Sequence, residues 1–461
     1  MKFLNIFSIL LIVILTNSCS KEFLDAKPSS NIVVPQTLDD IQNLLDNEFV
    51  LNQTPALEHV ASDEYYSRDY TTYQTLRVVE RNAYVWANDV YQGASVVPDW
   101  DIMFTQIYYA NVALEQLDKI TRNSGNNNKF QALEGAAYFI RAYAYFHLAQ
   151  TFCLPYDSLE SKSDLGLPLR VQSGVDNVQQ RATVEQTYNQ IIADLSLASR
   201  YLEVNTIPGY NKNRPSQCAA FALLSKVYLN MHNYPSSLLY SDSALMRCHD
   251  LIDYNDLDTT DISPFSVYGT QNPEIVYRTV FILGYRSTSY NSSTTILDST
   301  LYSMYLEHDL RRSIFFKRSP QNLPILKCLY QADGFPMFTG LAVDEIMLDN
   351  AECLSRLGKL SKAKDVLNTL LIKRFVTSYY TTYSSTNQQE VLNTILAERR
   401  KELTSRGIRW MDIRRLNREG SNIVLQRNVN GEMISLLPNS KKYAFPIPDY
   451  EISISKIAQN P

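Results

Sequence analysis

Apolar residues recur every three to four positions over several long stretches of the chain, which is the spacing of an amphipathic helix. This pattern predicts four helices in the N-terminal half, over residues 37–45, 100–120, 133–152 and 183–202. A threonine opens the first and the last of these stretches, where its side-chain oxygen can cap the helix. The N-terminal half is therefore predicted to be largely helical.

Two segments farther along the chain share one spacing of small and apolar residues. The second set follows the first at a constant offset: Ser225, Tyr228, His232, Ser237, Ser241 and Ala244 correspond to Ala351, Leu354, Gly358, Ala363, Leu367 and Leu370. Small residues at these positions let the two helices of a tetratricopeptide-like hairpin approach each other. The repeat predicts stacked helical hairpins, and the long interval between the copies predicts an interrupted array.

Short β elements are predicted around this helical scaffold. Residues 274–281 have the apolar and β-branched composition of a strand. Residues 423–429 and 432–437 flank Asn430-Gly431, which is the preferred two-residue turn of a β-hairpin. The predicted fold class is therefore mainly α, with tetratricopeptide-like helical hairpins decorated by irregular loops and small β elements.

Two polar stretches, 62–91 and 284–295, are rich in tyrosine and follow neither a helical nor an alternating pattern. Long irregular segments of this kind are often binding loops. Their candidate ligand-binding residues are Tyr66, Tyr70, Tyr73, Trp86, Tyr91, Tyr285, Tyr290 and Asn291. Aromatic rings can stack on a sugar or peptide while polar groups fix its orientation. The alternative for each ring is packing beneath a loop. If the rings bind ligand, Tyr70→Ala and Trp86→Ala should weaken binding and leave the fold intact.

The N-terminus has the pattern of an export signal. Lys2 is followed by an apolar run over residues 3–15, which is too short to span a bilayer as a stable helix. Small and polar residues then precede Cys19, as in the lipobox of a lipoprotein, although Thr16 replaces the usual leucine. Residues 1–18 are predicted to be a signal peptide and Cys19 a lipidation site. Cleavage without lipidation is the alternative.

The overall composition and the absence of motifs argue against several classes of function. The formal net charge of -5 disfavours nucleic-acid binding, which needs basic surfaces. The sequence contains no HExxH, P-loop, GxSxG or GxGxxG motif, so we predict neither catalysis nor a cofactor. Four acidic residues between 253 and 261 lack the order of a calcium loop, so a solvated loop is favoured over a metal site.

The cysteines follow no metal or redox spacing. The chain has Cys19, Cys153, Cys218, Cys248, Cys328 and Cys353, and no two of them form a CxxC pair. Most are expected to be small buried core residues. Cys218 and Cys248 can approach each other across a helical hairpin, which leaves a disulfide as the alternative for that pair.

Residues 395–416 combine ten charged side chains with apolar residues at helical spacing. The spacing predicts a helix that ends near Gly407 and a short second helix after it. Oppositely charged residues three apart are expected to pair, Glu398 with Lys401 and Arg399 with Glu402. One interpretation of the stretch is an anion site: Arg399, Arg400, Arg409, Arg414 and Arg415. The favoured interpretation is a lock of ion pairs, because buried charges must be compensated.

The same stretch resembles the C-terminal signature of the SusD/RagB family, with the sequence ERRKEL at 398–403 and GIRWMDIRR at 407–415. Similar motifs occur in family order along most of the chain: KEFLD at 21–25, Glu134, Arg141, Ala142, Tyr145 and Leu148 on one predicted helix, LGLPL at 165–169, Asp309 with Arg311, PIP at 446–448 and the terminal QNP.

This resemblance implies a surface lipoprotein of the outer membrane of Bacteroidetes. It implies one SusD-like domain over residues 19–461, with an N-terminal helical part at about 31–250 and a C-terminal RagB/SusD part at about 251–461. It also implies eight tetratricopeptide-like helices and docking as a lid on a SusC-like TonB-dependent transporter. The expected function is non-catalytic capture of an oligosaccharide or peptide on the outer face of the cell.

A different function on the same fold stays open from the sequence. Helical repeats also form scaffolds that bind a protein or peptide partner without any small nutrient. A saturable glycan or peptide ligand would favour capture, and co-purification of a partner without ligand would favour the scaffold. The nutrient itself is set by loops, so the fold does not identify it.

Overall fold

The computed structural model describes residues 34–174, 178–203, 211–289, 292–327, 330 and 337–461. These ranges are mainly helical, which confirms the predicted fold class. The α-helices within them are α1 (Leu38–Leu45), α2 (Glu48–Leu51), α3 (Leu57–Ala61), α4 (Tyr70–Gln74), α5 (Val78–Tyr84), α6 (Pro98–Leu117), α7 (Asn127–Phe152), α8 (Val184–Tyr201), α9 (Gln217–Asn230), α10 (Tyr234–Leu245), α11 (Ser299–Ser303), α12 (Arg311–Phe315), α13 (Val343–Arg356), α14 (Leu360–Leu371), α15 (Gln388–Glu402), α16 (Arg409–Arg418) and α17 (Asp449–Ser455).

The strands in the described ranges are short. They are β1 (Gln53–Thr54), β2 (Tyr65–Ser67), β3 (Leu165–Pro168), β4 (Arg181–Thr183), β5 (Ile275–Tyr277), β6 (Val280–Phe281), β7 (Thr295–Leu297), β8 (Phe316–Arg318), β9 (Pro324–Leu326), β10 (Leu341–Ala342), β11 (Leu425–Val429) and β12 (Glu432–Leu436). They form two-stranded sheets, of which β1–β6 is parallel and β2–β7, β3–β4, β5–β10, β8–β9 and β11–β12 are antiparallel.

The scaffold is a stack of eight helices in which each helix packs against the next: α6, α7, α8, α9, α10, α13, α14 and α15. This number equals the one that the family resemblance implied. Both predicted threonine caps form, because the side chains of Thr37 and Thr183 accept a hydrogen bond from the third residue of their helices. One hydrophobic core runs through the stack and reaches from Ile41 to Ile457.

The two copies of the repeat are neighbours in space although they are far apart in sequence. Helix α10 closes the first copy and packs against α13, which opens the second. Asn350 on α13 donates hydrogen bonds to Ser241 Oγ at 3.0 Å and to Asp242 Oδ1 at 2.7 Å on α10. The prediction of an interrupted array is confirmed. The interrupting segment, residues 246–342, is called the insert below, and its described part has a small hydrophobic core of its own.

The junction between the two copies gives a testable prediction. We expect Asn350→Ala to lower the free energy of unfolding by about 1–2 kcal/mol, because a buried hydrogen bond to Ser241 and a partly buried one to the exposed Asp242 are lost. Urea unfolding monitored by circular dichroism measures the change. The control is Lys362→Ala on exposed α14 surface, which should change stability by less than about 0.5 kcal/mol. Equal effects of the two variants would show that Asn350 contributes nothing specific.

The predicted β elements are partly correct. Asn430 and Gly431 have φ angles of 54° and 87° and join β11 to β12, as the two-residue hairpin turn requires. The single strand predicted over residues 274–281 is wrong, because the chain bends there and forms two strands. Strand β5 pairs with β10, and β6 pairs with β1 in a different sheet. Sequence alone did not show this bend because both halves are apolar and β-branched.

Candidate functional site

Two arginines of the charged stretch around residues 395–416 are held by carboxylates of helices. Arg399 on α15 donates to Asp349 at 2.6 Å and to Asp412 at 2.8 Å. Arg415 on α16 donates to Glu352 at 2.6 Å. These five side chains are buried or nearly so, which makes their mutual compensation necessary. The acceptors come from α13 and α16, so the stretch fastens the C-terminal helices to the second repeat.

The other three candidate anion-binding arginines also have protein partners. Arg400 and Arg409 both bind the carboxylate of Asp63, at 3.1 Å and 2.7 Å. Arg414 donates to the backbone carbonyl of Cys153. The interpretation of this stretch as a lock of ion pairs is confirmed, and its interpretation as an anion site is not supported.

A second buried network joins the insert to α15. Arg311 donates to Asp309 at 2.7 Å and to Glu402 at 2.9 Å. Arg374 donates to the other oxygen of Glu402 at 2.6 Å and to Glu274 at 2.7 Å. The side chains of these five residues have no exposed surface. Glu402 therefore compensates two guanidinium groups at once, at the place where the insert contacts the helical stack.

Part of the tyrosine-rich stretch 62–91 faces inward and surrounds one cation. The guanidinium carbon of Arg427, on β11, lies 4.4 Å from the ring centre of Tyr84, 5.4 Å from that of Trp86 and 5.8 Å from that of Tyr65. Trp86 also donates its indole N–H to the Ala61 carbonyl at 3.1 Å. These rings pack on a buried cation and on one another, so they anchor the stretch to the C-terminal hairpin.

Three of the candidate tyrosines in this stretch face outward. Tyr70 is 41% exposed, and Tyr66 and Tyr73 are half-buried. The rings of Tyr70 and Tyr73 are stacked with their centres 6.0 Å apart. An outward pair of stacked rings is available for contact with a ligand.

The structure brings the two irregular stretches together. Strand β2 of the first pairs with β7 at the end of the second. The buried carboxylate of Glu80 on α5 accepts the backbone N–H groups of Arg286 at 3.0 Å and Ser287 at 2.9 Å. Glu80 thereby fixes the start of the second stretch against the helix that follows Arg77. No sequence pattern pointed to Glu80, because its partners are backbone groups about two hundred residues away.

Asp99 is a second buried anchor beneath the same loop. Its carboxylate accepts the Tyr285 hydroxyl at 2.5 Å and the backbone N–H groups of Ala56 at 2.6 Å and Leu57 at 3.0 Å. Burial raises the pKa of Asp99, although these three donors act in the opposite direction. Tyr285 is 7% exposed, so its hydroxyl serves mainly to hold the loop in place.

A groove of about 550 Å³ lies between the two stretches. It is lined by residues of three segments, 77–79, 91–98 and 283–285, and is called the candidate groove below. Val96 and Leu283 expose 60% and 65% of their surface on its walls, and Arg77 is its charged lining residue. A volume of this size and an apolar wall with a few polar groups are typical of small-ligand sites.

Several residues around the candidate groove have positive φ angles. Trp86 and Gln92 have positive φ angles of 53° and 48°, and Gly93 and Gly284 have angles of 74° and 130°. Residues other than glycine rarely have a positive φ angle. Those that do are often found at binding and active sites. Trp86 and Tyr91 are buried on either side of the loop, and this burial stabilises its backbone conformation.

A second open groove of about 760 Å³ lies on the other side of Tyr91. It is lined by residues 86–91 and by C-terminal residues between 440 and 461, and is called the C-terminal groove below. Tyr91 donates its hydroxyl to the Pro446 carbonyl at 2.7 Å, and Lys442 donates to the Trp86 carbonyl at 2.8 Å. The buried ring of Tyr91 therefore contributes to both grooves.

The candidate residues fall into three groups. Tyr66, Tyr70 and Tyr73 face outward; Trp86, Tyr91 and Tyr285 are buried beneath the grooves; Cys19, Tyr290 and Asn291 lie outside the described residues. Lipidation stays a prediction for Cys19, and a ligand contact stays a prediction for each of the other residues. Sequence reasoning missed Arg77, Val96 and Leu283, because isolated aliphatic and basic residues in a polar loop carry no pattern.

The burial of Trp86 changes the expected result of its mutation. We expect Trp86→Phe to lower the free energy of unfolding by about 1–2 kcal/mol, since the hydrogen bond to the buried Ala61 carbonyl is lost. Tyr70→Ala, at an exposed ring, should leave stability within about 0.5 kcal/mol. Thermal unfolding of both variants measures the difference. A Trp86→Phe protein as stable as the parent would contradict the structural role of the indole.

The described residues include neither a metal-binding cluster nor a membrane-spanning helix. In the part of the chain that the structure describes, no group of three or more His, Cys, Asp or Glu side chains is arranged to hold a metal ion. None of the described helices combines the length and the apolar character needed to cross a membrane.

Two family descriptions match the sequence. Residues 22–229 match the family described as "Starch-binding associating with outer membrane", and residues 344–461 match the SusD family. The chain belongs to the SusD family. The matches support carbohydrate binding and an association with the outer membrane for SusD-like proteins of this kind.

Solved SusD-like structures share the fold along nearly the whole chain. A SusD superfamily protein from Bacteroides thetaiotaomicron has a TM-score of 0.74 at 21% identity and covers 92% of this chain and 100% of its own. The surface glycan-binding protein A from Bacteroides fluxus has a TM-score of 0.69 at 18% identity. The match covers 93% of this chain and 100% of that protein. Identities this low establish the fold alone.

A curated relative matches over a shorter region. The SusD-like protein P2 from Formosa agariphila is 28% identical over 136 residues, which is 29% of this chain. The match spans about a quarter of the relative's length, 24%.

Proposed function

We propose that the protein is a non-catalytic surface lipoprotein that captures a glycan and delivers it to a SusC-like TonB-dependent transporter. The observation that carries the proposal is the candidate groove, placed where the two irregular stretches meet in a chain of the SusD family. An oligosaccharide is the preferred ligand because the matched family is described as starch-binding. Another oligomeric nutrient such as a peptide is the other ligand that the same groove can accept.

Binding in this proposal combines rings, aliphatic walls and one cation. The outward rings of Tyr66, Tyr70 and Tyr73 stack on sugar faces, and Arg77 donates hydrogen bonds to hydroxyl or acidic groups. Each ring adds about 0.5–1.5 kcal/mol beyond simple burial. Several such contacts give micromolar affinity, about −8 kcal/mol. Tyr290 and Asn291 belong to the proposed site through their position in the second stretch.

The proposed anchor is the N-terminus. Residues 1–18 act as the signal peptide, and Cys19 receives the acyl chains that hold residues 19–461 to the outer membrane. One acyl chain binds a bilayer only marginally, so stable anchoring needs the several chains of a lipoprotein. Residues 31–250 and 251–461 then form the two parts of one SusD-like unit, facing outward.

A binding role is supported over hydrolysis by the chemistry of the candidate groove. Glycosidases need two carboxyl groups about 5–10 Å apart. Within the described residues, the lining of the candidate groove contributes Arg77 as its charged group and no carboxylate. The nearby carboxylates of Glu80 and Asp99 are committed to backbone amides and to Tyr285.

Two measurements test the proposal. Residues 20–461, purified without the lipid anchor, are applied to a glycan array and then to calorimetry with the best hit. A tagged chain with Cys19 intact is separately recovered from detergent-solubilised outer membrane. We expect a saturable glycan ligand that is returned unchanged, and co-purification of a TonB-dependent barrel.

Other outcomes would replace the proposal. Cleavage of the glycan would make the protein an enzyme. A protein partner recovered from the membrane without any glycan ligand would make the helical stack a protein-binding scaffold. Recovery without lipid at Cys19 would remove the anchor but leave capture in place.

A further inference from the structure

Two cysteines meet at the open end of the α9–α10 hairpin. Cys218 lies in the first turn of α9, and Cys248 follows the end of α10. The carbonyl of Ala244 accepts both the Cys218 thiol at 3.5 Å and the Cys248 backbone N–H at 2.9 Å. The Cys218 thiol and the Cys248 backbone therefore lie against the same carbonyl oxygen. The hairpin therefore brings together two residues that are 30 positions apart in sequence.

Their surroundings favour reaction at one of the two sulfurs. Cys218 is buried, whereas Cys248 is half-buried and reaches the surface. The pKa of Cys248 is lowered by the neighbouring Cys218 thiol and by the charges of Lys212 and Arg247, although burial and Asp250 act in the opposite direction. Arg247 also donates to Gln217 at 2.6 Å, which fixes the two ends of the hairpin to each other.

We propose that Cys218 and Cys248 are joined by a disulfide in the exported protein. The bond joins the first turn of α9 to the residues that follow α10. Helix α10 is the helix of this hairpin that packs against α13. Disulfides persist in exported proteins and are rare in the cytosol. The proposal rests on the export that is part of the proposed function, and not on the identity of the ligand.

The reaction is a thiol–disulfide exchange with an exported oxidant that carries a disulfide. The Cys248 thiolate attacks one sulfur of the oxidant, forms a mixed disulfide and releases the other sulfur as a thiolate. Cys218 loses its proton and attacks the Cys248 sulfur, which expels the second thiolate of the oxidant. The protein loses two electrons and two protons, and the oxidant becomes a dithiol.

Two other described cysteines serve as internal controls. Cys153 and Cys353 are fully buried, and burial raises their pKa values to about 11 and about 12. A buried thiol of high pKa is inert towards disulfide exchange. We therefore expect both to remain thiols under conditions that oxidise the hairpin pair.

The test is peptide mapping of the full chain, expressed with its own leader. Cells are denatured in the presence of N-ethylmaleimide, so that buried thiols also react, and the protein is digested without reduction. We expect one linked peptide pair that contains Cys218 and Cys248, and alkylated Cys153 and Cys353. Cys248→Ser should abolish the linked pair, whereas Cys353→Ser should retain it. Reduction should lower the Tm of the parent and of Cys353→Ser, but not that of Cys248→Ser.

Alkylation of both Cys218 and Cys248 in surface-exposed chains would overturn the proposal, as would a link from Cys248 to a different cysteine. Protease treatment of intact cells shows separately whether the chain is on the surface. If the chain is not on the surface, the proposed function fails. The disulfide is then tested by adding oxidised glutathione to the purified chain. Formation of the internal link would support it, and a stable glutathione adduct at Cys248 alone would overturn it.

Discussion

Glu402→Gln is expected to lower the free energy of unfolding by about 3–5 kcal/mol, which is the cost of removing one partner from a buried ion pair. The Glu402 carboxylate accepts Arg311 at 2.9 Å and Arg374 at 2.6 Å, and none of the three side chains is exposed. A neutral amide in the same volume leaves two buried guanidinium groups with less compensating charge. Urea and thermal unfolding measure the loss.

The matched control is the same substitution at an exposed ion pair. Glu160 binds Arg418 at 2.5 Å, and its side chain is 58% exposed. Glu160→Gln should change stability by no more than about 1 kcal/mol, because exposed ion pairs are weak. Similar losses from the two substitutions would show that burial of the Glu402 network has no special effect.

The same variant should alter the response to acid. Burial alone would raise the pKa of Glu402, but the charges and hydrogen bonds of Arg374 and Arg311 lower it below its ordinary value. Stability from such a group is fully present above the unfolded pKa of about 4.3 and is lost as pH falls through the lower folded pKa. The difference in the free energy of unfolding between the parent protein and Glu402→Gln should therefore become smaller below about pH 4. A difference that stays constant down to pH 3 would contradict an ionised Glu402.

The double variant Arg77→Gln with Leu283→Ala is expected to weaken glycan binding about 100-fold, or about 2.7 kcal/mol. Loss of a charged hydrogen-bond donor costs about 1.5–3 kcal/mol, and loss of a buried aliphatic contact costs up to about 2 kcal/mol. Both residues line the candidate groove and are exposed in the free protein. Calorimetry with the glycan identified on the array measures the affinity.

The control carries the same two changes elsewhere on the surface. Arg200→Gln with Leu239→Ala alters exposed residues of α8 and α10, away from the lining of the candidate groove. Both double variants should keep the parental Tm within a few degrees. If the groove variant binds as tightly as the control, the ligand does not occupy the candidate groove, and the C-terminal groove becomes the site to mutate.

The helical scaffold could be predicted because its signals are local. The apolar spacing, the caps at Thr37 and Thr183 and the small residues of the two repeats act over a few turns of helix. The packing of α10 against α13 also followed from the repeat, since two incomplete hairpins must bury their faces on each other. Glu398 and Lys401 pair at 2.7 Å as the helical spacing predicted.

Interactions between distant segments could not be predicted in the same way. Arg399 was expected to pair with Glu402 one turn away, and this was wrong. Its carboxylates are Asp349 and Asp412, while Glu402 binds Arg311 and Arg374. Local spacing showed that the charges would need partners, but the choice among several carboxylates depends on how the helices pack.

The candidate groove shows the same limit for binding residues. The prediction that residues 62–91 are irregular was wrong in part, because β2, α4 and α5 lie within them. The structure nevertheless places the two tyrosine-rich stretches side by side. Their composition could not show that Trp86 and Tyr285 point inward and that Arg77 and Leu283 reach the surface. Inward or outward orientation is decided by Arg427 and Asp99, which come from other parts of the chain, and by Glu80, which joins one stretch to the other.

The contact between α10 and α13 has a consequence for how such proteins diversify. Because the two helices that flank the insert touch, the insert leaves and re-enters the stack at nearly one place. Outside the buried ion-pairing residues Glu274, Asp309 and Arg311, its sequence and length can therefore change without moving the eight helices. The insert supplies residues 283–285 to one wall of the candidate groove. Exchange of the insert between relatives is a route to new ligand preferences on the same helical stack. Chimeric chains can be designed with the boundaries of the insert as their junctions.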